Sequence, residues 1–227
     1  TCIVDEDTTH VKGVHLIPAD MIAGQIRSFL GDVGADCIKI GMLYSKNIIR
    51  LVAGILDEYS SIPVVVDPVM VTSSGDKLLE EDAVQAYEDY LFPRASILTP
   101  NKKEAEWLCG KELNEGNIEE CLKDLSRWGN SVVIKSVENR DFFIDYYYNP
   151  VEKVMKVYKK EGIRTRNVNG TGDSFASAIA TFLSKGYGIE FAVAEAERFI
   201  QQSIELGARF KFGRGFGPVY PYYEVQE

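Results

Sequence analysis

Short apolar runs alternate along the chain with longer segments in which apolar residues recur at helical spacing. Residues 63–66 read Pro-Val-Val-Val, which is typical of a strand buried on both faces of a sheet. Residues 19–30 instead carry an apolar stripe near the period of an amphipathic helix. The predicted strands span residues 1–5, 37–40, 63–67, 96–98, 131–135, 142–148 and 154–158, and the last two are expected to form a hairpin. The predicted helices span residues 19–30, 47–59, 82–91, 103–108, 118–128, 171–185 and 189–207.

This alternation of buried strands and amphipathic helices predicts an α/β fold, with a mostly parallel central β-sheet flanked by helices on both faces. No repeat, low-complexity tract or linker divides the 227 residues, so a single domain over residues 1–227 is expected. The chain begins directly in a strand-like run at Thr1, and we expect a strand and loop to precede it. The longest strongly apolar run, residues 62–66, is far shorter than the roughly 18 residues of a membrane span, so no membrane partner is predicted.

The charge balance narrows the classes of partner. The chain has 25 Lys and Arg against 34 Asp and Glu, a net charge of −9. A chain this acidic lacks the broad positive field that binds a phosphate backbone, so no nucleic-acid partner is predicted, although backbone N–H groups can still hold a small anion. The 4 cysteines are widely spaced and accompany only 2 histidines, which excludes a structural zinc site. Free thiols in a reducing, cytoplasmic setting are therefore expected.

The glycine-rich segment Gly170-Thr171-Gly172-Asp173 precedes a strongly helical run. Unpaired backbone N–H groups at such a helix start can form an anion hole for a phosphate. The carboxylate of Asp173, in the first turn, could accept a proton from an attacking hydroxyl group. The alternative interpretation is an ordinary helix start that needs glycine only to turn. The segment matches neither the Walker A pattern nor Gly-x-Gly-x-x-Gly, which argues against a P-loop NTPase and a dinucleotide dehydrogenase.

Polar residues also follow the predicted strands, whose carboxyl ends should meet at one crevice. Asn101 and Glu104 have the spacing of a capping box, and they could equally hold Mg²⁺ through water. Asp67 ends a fully apolar strand, a costly position unless the carboxylate meets a cation, a helix N-terminus or the crevice. The Ser/Gly run at residues 72–75 could form a loop that closes over a nucleotide, or a plain solvent turn.

These motifs carry a family resemblance. Residues 66–70, 98–104 and 169–173 occur in the order and spacing found in ribokinase-like small-molecule kinases. Within that superfamily the chain most resembles the hydroxymethylpyrimidine/phosphomethylpyrimidine kinases of thiamin biosynthesis, to which residues 14–18, 39–43 and 213–219 are also similar. The resemblance spans nearly the whole chain.

The resemblance implies a ribokinase-like α/β fold, ATP and Mg²⁺ as cofactors, a small-molecule acceptor and a homodimer. It also implies roles for particular residues. Gly170, Thr171 and Gly172 would form the anion hole, with Lys135 near the ATP phosphates; Asn101, Glu104 and Asp67 would serve the metal; Gly41, Met42 and Val69 would line the pyrimidine pocket; and Asp173 would be the catalytic base.

Two departures from the family bear on the acceptor. The pyrimidine kinases usually have Cys where this chain has Asp173, a residue common in pyridoxal kinases and ribokinases. They also have a substrate-binding Gln at the position of Glu6, whose ionised carboxylate accepts hydrogen bonds but donates none. The expected function is an ATP- and Mg²⁺-dependent kinase that phosphorylates the hydroxymethyl group of hydroxymethylpyrimidine or its phosphate. A pyridoxine or pyridoxal kinase, a sugar or nucleoside kinase and a non-catalytic sensor remain as alternatives.

Overall fold

The computed structural model describes residues 1–70, 83–139 and 142–222. Its strands are β1 (Cys2–Glu6), β2 (Val11–Leu16), β3 (Ile38–Ile40), β4 (Val64–Val66), β5 (Ile97–Leu98), β6 (Ser131–Asn139), β7 (Phe142–Asn149), β8 (Val154–Glu161), β9 (Asn167–Asn169) and β10 (Gly217–Pro218). Its helices are α1 (Ala19–Asp32), α2 (Lys46–Asp57), α3 (Ala83–Ala86), α4 (Lys102–Cys109), α5 (Ile118–Leu125), α6 (Thr171–Ser184) and α7 (Ile189–Gly207). A π-helical turn (Tyr87–Leu91) and a 3₁₀ turn (Phe92–Arg94) follow α3.

Six strands form the central sheet in the order β3-β4-β5-β6-β7-β8. The strands β3 to β6 are parallel, whereas β7 and β8 extend the sheet as an antiparallel hairpin. Two smaller pairs lie outside it, the antiparallel hairpin β1–β2 and the parallel pair β9–β10. The predicted α/β fold with a mostly parallel sheet is confirmed, as is the β7–β8 hairpin.

Three observed strands, β2, β9 and β10, were not predicted. Residues 11–16 form β2, which pairs with β1, although Lys12, Gly13 and His15 interrupt any apolar alternation there. This hairpin has little buried surface of its own, so its sequence lacks the two-residue period that identifies a half-buried strand. The segment at residues 72–75, interpreted above as a loop, lies outside the described residues.

The two faces of the sheet pack against different helices. Val64 and Val66 face a cluster that includes apolar residues of α2, α3, α4 and α5. Val65, which lies between them in the strand, packs on the other face against α6 and α7, together with Ile97 and Val133 of the neighbouring strands. Because side chains alternate along a strand, every second residue beyond Val65, Ile97 and Val133 projects towards α6. This alternation decides which side chains meet at the strand ends.

The expectation of free thiols was wrong for two of the cysteines. Cys109, the last residue of α4, forms a disulfide with Cys121 of α5, and their Cα atoms are 6.0 Å apart. The packing of two consecutive helices brings these residues together, although they are 12 positions apart in the sequence. Nothing in that spacing identifies the two cysteines as a disulfide pair. Cys2 and Cys37 are free. No helix in the described part of the chain is long and apolar enough to cross a membrane.

A buried ion cluster lies beside the central strand β6. The Lys160 ammonium is 2.8 Å from Asp145 Oδ2 and 2.6 Å from Glu197 Oε2. Burial, together with the neighbouring Asp145 carboxylate, raises the pKa of Glu197 to about 8 against the opposing effect of Lys160. Three ionisable groups thus share one site, and Glu197 holds its proton to a higher pH than an exposed glutamate.

The same cluster fixes a bend in β6. The Ser136 N–H donates a 2.7 Å hydrogen bond to Asp145 Oδ1, and Ser136 adopts a positive φ of 59°. The pairing of β6 with β7 shifts register at this point, between Ile134 and Val137. Since the bend begins directly after Lys135, the cluster contributes to the direction in which the Lys135 side chain projects.

This cluster predicts a pH dependence of stability. The folded protein keeps a proton on Glu197 up to about pH 8, whereas the unfolded chain loses it near the ordinary glutamate pKa of 4.5, so stability falls as pH rises between these values. Each pH unit in that window costs at most about 1.4 kcal/mol. We expect Glu197→Gln to flatten the decline in the free energy of unfolding between pH 6 and pH 8.5, as measured by urea titration. Parallel declines in the two proteins would contradict this assignment.

Candidate active site

Three side chains at the carboxyl ends of the parallel strands form a buried polar group. Lys135 Nζ lies 2.8 Å from Asp67 Oδ1, and the Thr99 hydroxyl donates a 3.1 Å hydrogen bond to the same oxygen. Each residue is two positions beyond an apolar residue that packs against α6, namely Val65, Ile97 and Val133. The alternation of the strands therefore directs all three side chains to the α6 side of the sheet.

The electrostatics of this group favour a charged lysine. Burial alone would lower the pKa of Lys135, but the carboxylates of Asp67 and Glu104 outweigh burial and raise it. A buried ammonium group requires such partners, because an unpaired charge is costly away from water. Lys135 is therefore a fixed positive charge in the interior of the site.

Asn101 and Glu104 form the capping box that their spacing predicts. The Glu104 N–H donates a 3.0 Å hydrogen bond to Asn101 Oδ1, and the Asn101 N–H donates a 2.8 Å bond to Glu104 Oε2. The second carboxylate oxygen of Glu104 accepts a 3.3 Å bond from the Met70 N–H, which ties α4 to the segment after β4. Burial raises the pKa of Glu104 to about 7, with Asp67 raising it and Lys135 lowering it. The structure thus gives both residues a helix-capping role, which leaves a metal role open as a proposal.

The predicted anion-hole segment begins α6. Gly170 is the N-cap residue and adopts a φ of 79°, a left-handed conformation that glycine tolerates best. The Thr171 hydroxyl donates a 2.6 Å hydrogen bond to the Val168 carbonyl, which fixes the segment against β9. The N–H groups of the first turn have no acceptor within the helix and are available to an anion.

Gly172 allows the start of α6 to lie directly against the buried ion pair. A Cβ atom at Gly172 would be 3.2 Å from Lys135 Nζ and 3.5 Å from Asp67 Oδ2. A side chain at this position would crowd the Lys135 ammonium, so glycine favours the close approach to the strand ends. Its absent side chain brings the first-turn amides, Lys135 and Asp67 into one group.

Asp173 forms an ion pair with a residue that the sequence analysis did not assign. Lys39 Nζ lies 2.6 Å from Asp173 Oδ1, although the two residues are 134 positions apart. A Cβ atom at Gly41 would be 2.8 Å from Lys39 Nζ and 3.4 Å from Asp173 Oδ1, so the ion pair lies beside the Gly41 backbone. The sequence feature that could have identified this residue is a lysine inside the apolar run at residues 37–40. The alternation of side chains along β3 directs it to the α6 face of the sheet.

The remaining candidate residues divide into two groups. Gly41 and Met42 follow β3 and Val69 follows β4, all of them partly exposed at the strand ends. Glu6 instead ends β1 in the separate hairpin and is exposed. Within the described residues, no hydrogen bond or ion pair joins Glu6 to Asp67, Thr99 or Lys135, so its predicted contact with the acceptor stays a prediction.

The mostly parallel sheet flanked by helices, with a Gly-Thr-Gly-Asp helix start at its strand ends, is the fold of a ribokinase-like kinase. The ADP complex of Bacillus subtilis pyridoxal kinase has the same architecture, with a TM-score of 0.85 and 30% sequence identity over 96% of this chain and 83% of that chain. The family model described as phosphomethylpyrimidine kinase matches residues 1–220, and the chain belongs to that family.

The chain spans only part of the length of two bacterial relatives. It is 35% identical to the thiamine biosynthesis bifunctional protein ThiED of Geobacter sulfurreducens, covering 96% of this chain but 44% of that protein. It is 33% identical to the hydroxymethylpyrimidine/phosphomethylpyrimidine kinase of Mycobacterium tuberculosis H37Rv, covering 99% of this chain and 82% of that protein. The chain thus spans less than half of the bifunctional relative and about four fifths of the other.

Proposed function

We propose that this chain is an ATP- and Mg²⁺-dependent kinase that phosphorylates the hydroxymethyl group of hydroxymethylpyrimidine and then the resulting monophosphate. The observation that carries the proposal is the position of Asp173, in the first turn of α6 next to the amides of Gly170 to Gly172 and beside the Gly41 backbone. A carboxylate there can take a proton from an acceptor alcohol while the amides hold the transferring phosphoryl group. The family and its relatives named as pyrimidine kinases support the choice of acceptor.

Different residues of this chain would bind the phosphoryl group and accept the proton. Asp173 accepts the hydroxyl proton, and the amides from Gly170 to Gly172 stabilise the negative charge on the transferring phosphoryl oxygens. Lys135, a fixed buried cation beside Gly172, adds positive charge behind the same amides. Most of the acceleration in phosphoryl transfer comes from such positioning and charge stabilisation. ATP as the donor is supported by the nucleotide complex of the B. subtilis neighbour.

The donor set fits a magnesium ion held mainly through water. When Asp67 and Glu104 are both ionised, two buried carboxylates face the single ammonium of Lys135, and the surplus negative charge suits a cation. Mg²⁺ prefers oxygen ligands and keeps several of its waters, and the described residues contain no cluster of three or more His, Cys, Asp or Glu that would enclose a metal directly. We propose Asp67, Asn101 and Glu104 as the residues that hold it. The bound ion would neutralise charge on the nucleotide phosphates.

A vitamin B6 kinase is the second candidate function. Asp173 stands where the pyrimidine kinases usually have Cys, and the similarity to pyridoxal kinase in structure is high, with a TM-score of 0.85. Both candidates share the reaction, which is phosphoryl transfer to a hydroxymethyl group on a heteroaromatic ring. They differ in the ring that the residues around Gly41, Met42 and Val69 would contact.

A panel of acceptors distinguishes the two candidates. ATP consumption is measured with Mg²⁺ and hydroxymethylpyrimidine, its monophosphate, pyridoxine or pyridoxal. We expect turnover on the pyrimidine and its monophosphate. Turnover confined to the pyridine alcohols would make the protein a vitamin B6 kinase, and nucleotide binding without turnover on any acceptor would favour a sensor. A single-domain organisation, a cytoplasmic location and a homodimer belong to the same proposal. The single domain rests on the absence of an internal repeat or linker, the location on the spacing of the cysteines, and the homodimer on the resemblance.

A further inference from the structure

The amino group of Lys39 lies where the acceptor is proposed to bind. It is 2.6 Å from Asp173 Oδ1, and it would be 2.8 Å from a Cβ atom at Gly41. The side chain reaches this point because Lys39 pairs in register with Val65, whose side chain faces α6. A cation thus lies beside both the proposed catalytic base and Gly41, one of the residues proposed to line the acceptor pocket.

The two lysines of the site differ in how firmly they are held. Lys135 is buried, pairs with buried Asp67 and lies beneath the start of α6. The Lys39 side chain is 19% exposed, and its partner Asp173 is 62% exposed. An ion pair with an exposed partner is screened by water and is readily exchanged for a stronger anion. Lys39 is therefore the cation of this site that can change partner during a reaction cycle.

The proposed function uses two acceptors that differ in charge, and each needs a different charge beside its attacking oxygen. An alcohol is neutral and must lose a proton as it attacks, so an ionised carboxylate beside it assists the reaction. A phosphate monoester is mostly doubly ionised at neutral pH, because its second pKa is about 6. Its attacking oxygen already carries negative charge, and the carboxylate of Asp173 would repel it.

We propose that Lys39 exchanges partners between the two reactions, holding the Asp173 carboxylate when the acceptor is the alcohol and binding the acceptor's phosphate when the acceptor is the monophosphate. This inference rests on the proposed function and assigns Lys39 as the residue that selects for the second acceptor. Compact, strongly charged ammonium groups are well suited to phosphate.

The bonds formed and broken are then equivalent in the two steps, which differ in proton transfer and in the partner of Lys39. With the alcohol, a bond forms between the hydroxyl oxygen and the γ-phosphorus of ATP, the bond from that phosphorus to the ADP oxygen breaks, and the hydroxyl proton passes to the Asp173 carboxylate. With the monophosphate, an acceptor phosphate oxygen forms the new bond, ADP leaves in the same way, and no proton transfer is required. Asp173 is therefore needed as the base in the first step, whereas Lys39 is needed to bind the acceptor phosphate in the second.

The test compares the KM and kcat for hydroxymethylpyrimidine and for its monophosphate across variants of the two residues. We expect Lys39→Met to raise the KM for the monophosphate by about tenfold or more, the effect of losing a hydrogen bond between charged groups, and to change the KM for the alcohol by less than about threefold. Lys39→Arg should restore most of the monophosphate affinity. Asp173→Asn should show the opposite preference, with kcat falling about 100-fold on the alcohol and much less on the monophosphate.

Controls separate this inference from a structural effect and from the proposed function. Lys123→Met removes a comparable exposed ion pair, that of Lys123 with Glu119 on α5, and should leave both acceptors unaffected. Lys39→Gln, together with calorimetric binding of the monophosphate without ATP, provides independent measurements if Lys39→Met does not fold. Equal losses on both acceptors in every Lys39 variant would overturn the exchange and leave the proposed function standing. Failure of the wild-type protein on both acceptors would overturn the proposed function and the exchange together.

Discussion

Replacing Asp173 by alanine should lower turnover on the alcohol acceptor by about 10²–10⁴-fold, the usual contribution of a positioned general base. The carboxylate lies at the start of α6, one residue from the amides that would hold the transferring phosphoryl group, and its removal leaves no other described carboxylate paired with Lys39. Nucleotide affinity should change little, because the amides and Lys135 are untouched. Steady-state kinetics and calorimetric titration with ATP measure the two effects separately.

The matched control for this variant is Glu190→Ala. Glu190 is the acidic residue in the first turn of α7, and it also forms an ion pair with a lysine, Lys156. Both variants lose the favourable interaction of a carboxylate with a helix N-terminus, an effect of about 0.3–1 kcal/mol. Turnover should fall in the Asp173 variant alone. Near-normal turnover in Asp173→Ala would eliminate this residue as the base.

Replacing Lys135 by methionine should lower the free energy of unfolding more than any of the other substitutions proposed for this protein. Methionine fills similar volume but leaves the buried carboxylate of Asp67 without its cation, and breaking a buried ion pair on one side costs about 3–5 kcal/mol. Glu104 loses the same compensating charge. The free energy of unfolding, measured by urea titration at pH 7, should fall by this amount.

The double variant Lys135→Met with Asp67→Asn distinguishes charge from packing. With the unpaired carboxylate also neutralised, at least about half of the lost stability should return. If the two substitutions instead destabilised the protein additively, the Lys135–Asp67 interaction would contribute nothing to the fold. Activity should remain low in both variants, because the positive charge behind the first-turn amides is absent.

Local rules predicted much of this molecule because its sheet is regular. The run at residues 63–66 identifies a strand buried on both faces, and the two-residue alternation then places Asp67, Thr99 and Lys135 on the α6 side. The capping box of Asn101 and Glu104 also follows from spacing alone, and α7 begins and ends at the predicted residues. In each case a short-range pattern and the tertiary packing favour the same structure.

Other features depend on contacts between distant segments, which periodicity does not encode. The pair of Lys39 and Asp173 joins residues 134 positions apart, and the disulfide between Cys109 and Cys121 depends on how α4 packs against α5. The strand β2 is exposed and so lacks an apolar alternation. The predicted role of Glu6 depends on an acceptor-binding geometry that the sequence does not define.

The most direct test of the central claim is the phosphorus NMR spectrum of the protein incubated with ATP, Mg²⁺ and hydroxymethylpyrimidine. We expect a new phosphate monoester signal coupled to the methylene protons of the acceptor, followed by the paired signals of a diphosphate as the monoester is consumed. ADP should accumulate in step with both products. ATP that stays intact with this acceptor, while a pyridine alcohol added to the same protein is phosphorylated, would contradict the assignment of the pyrimidine as substrate.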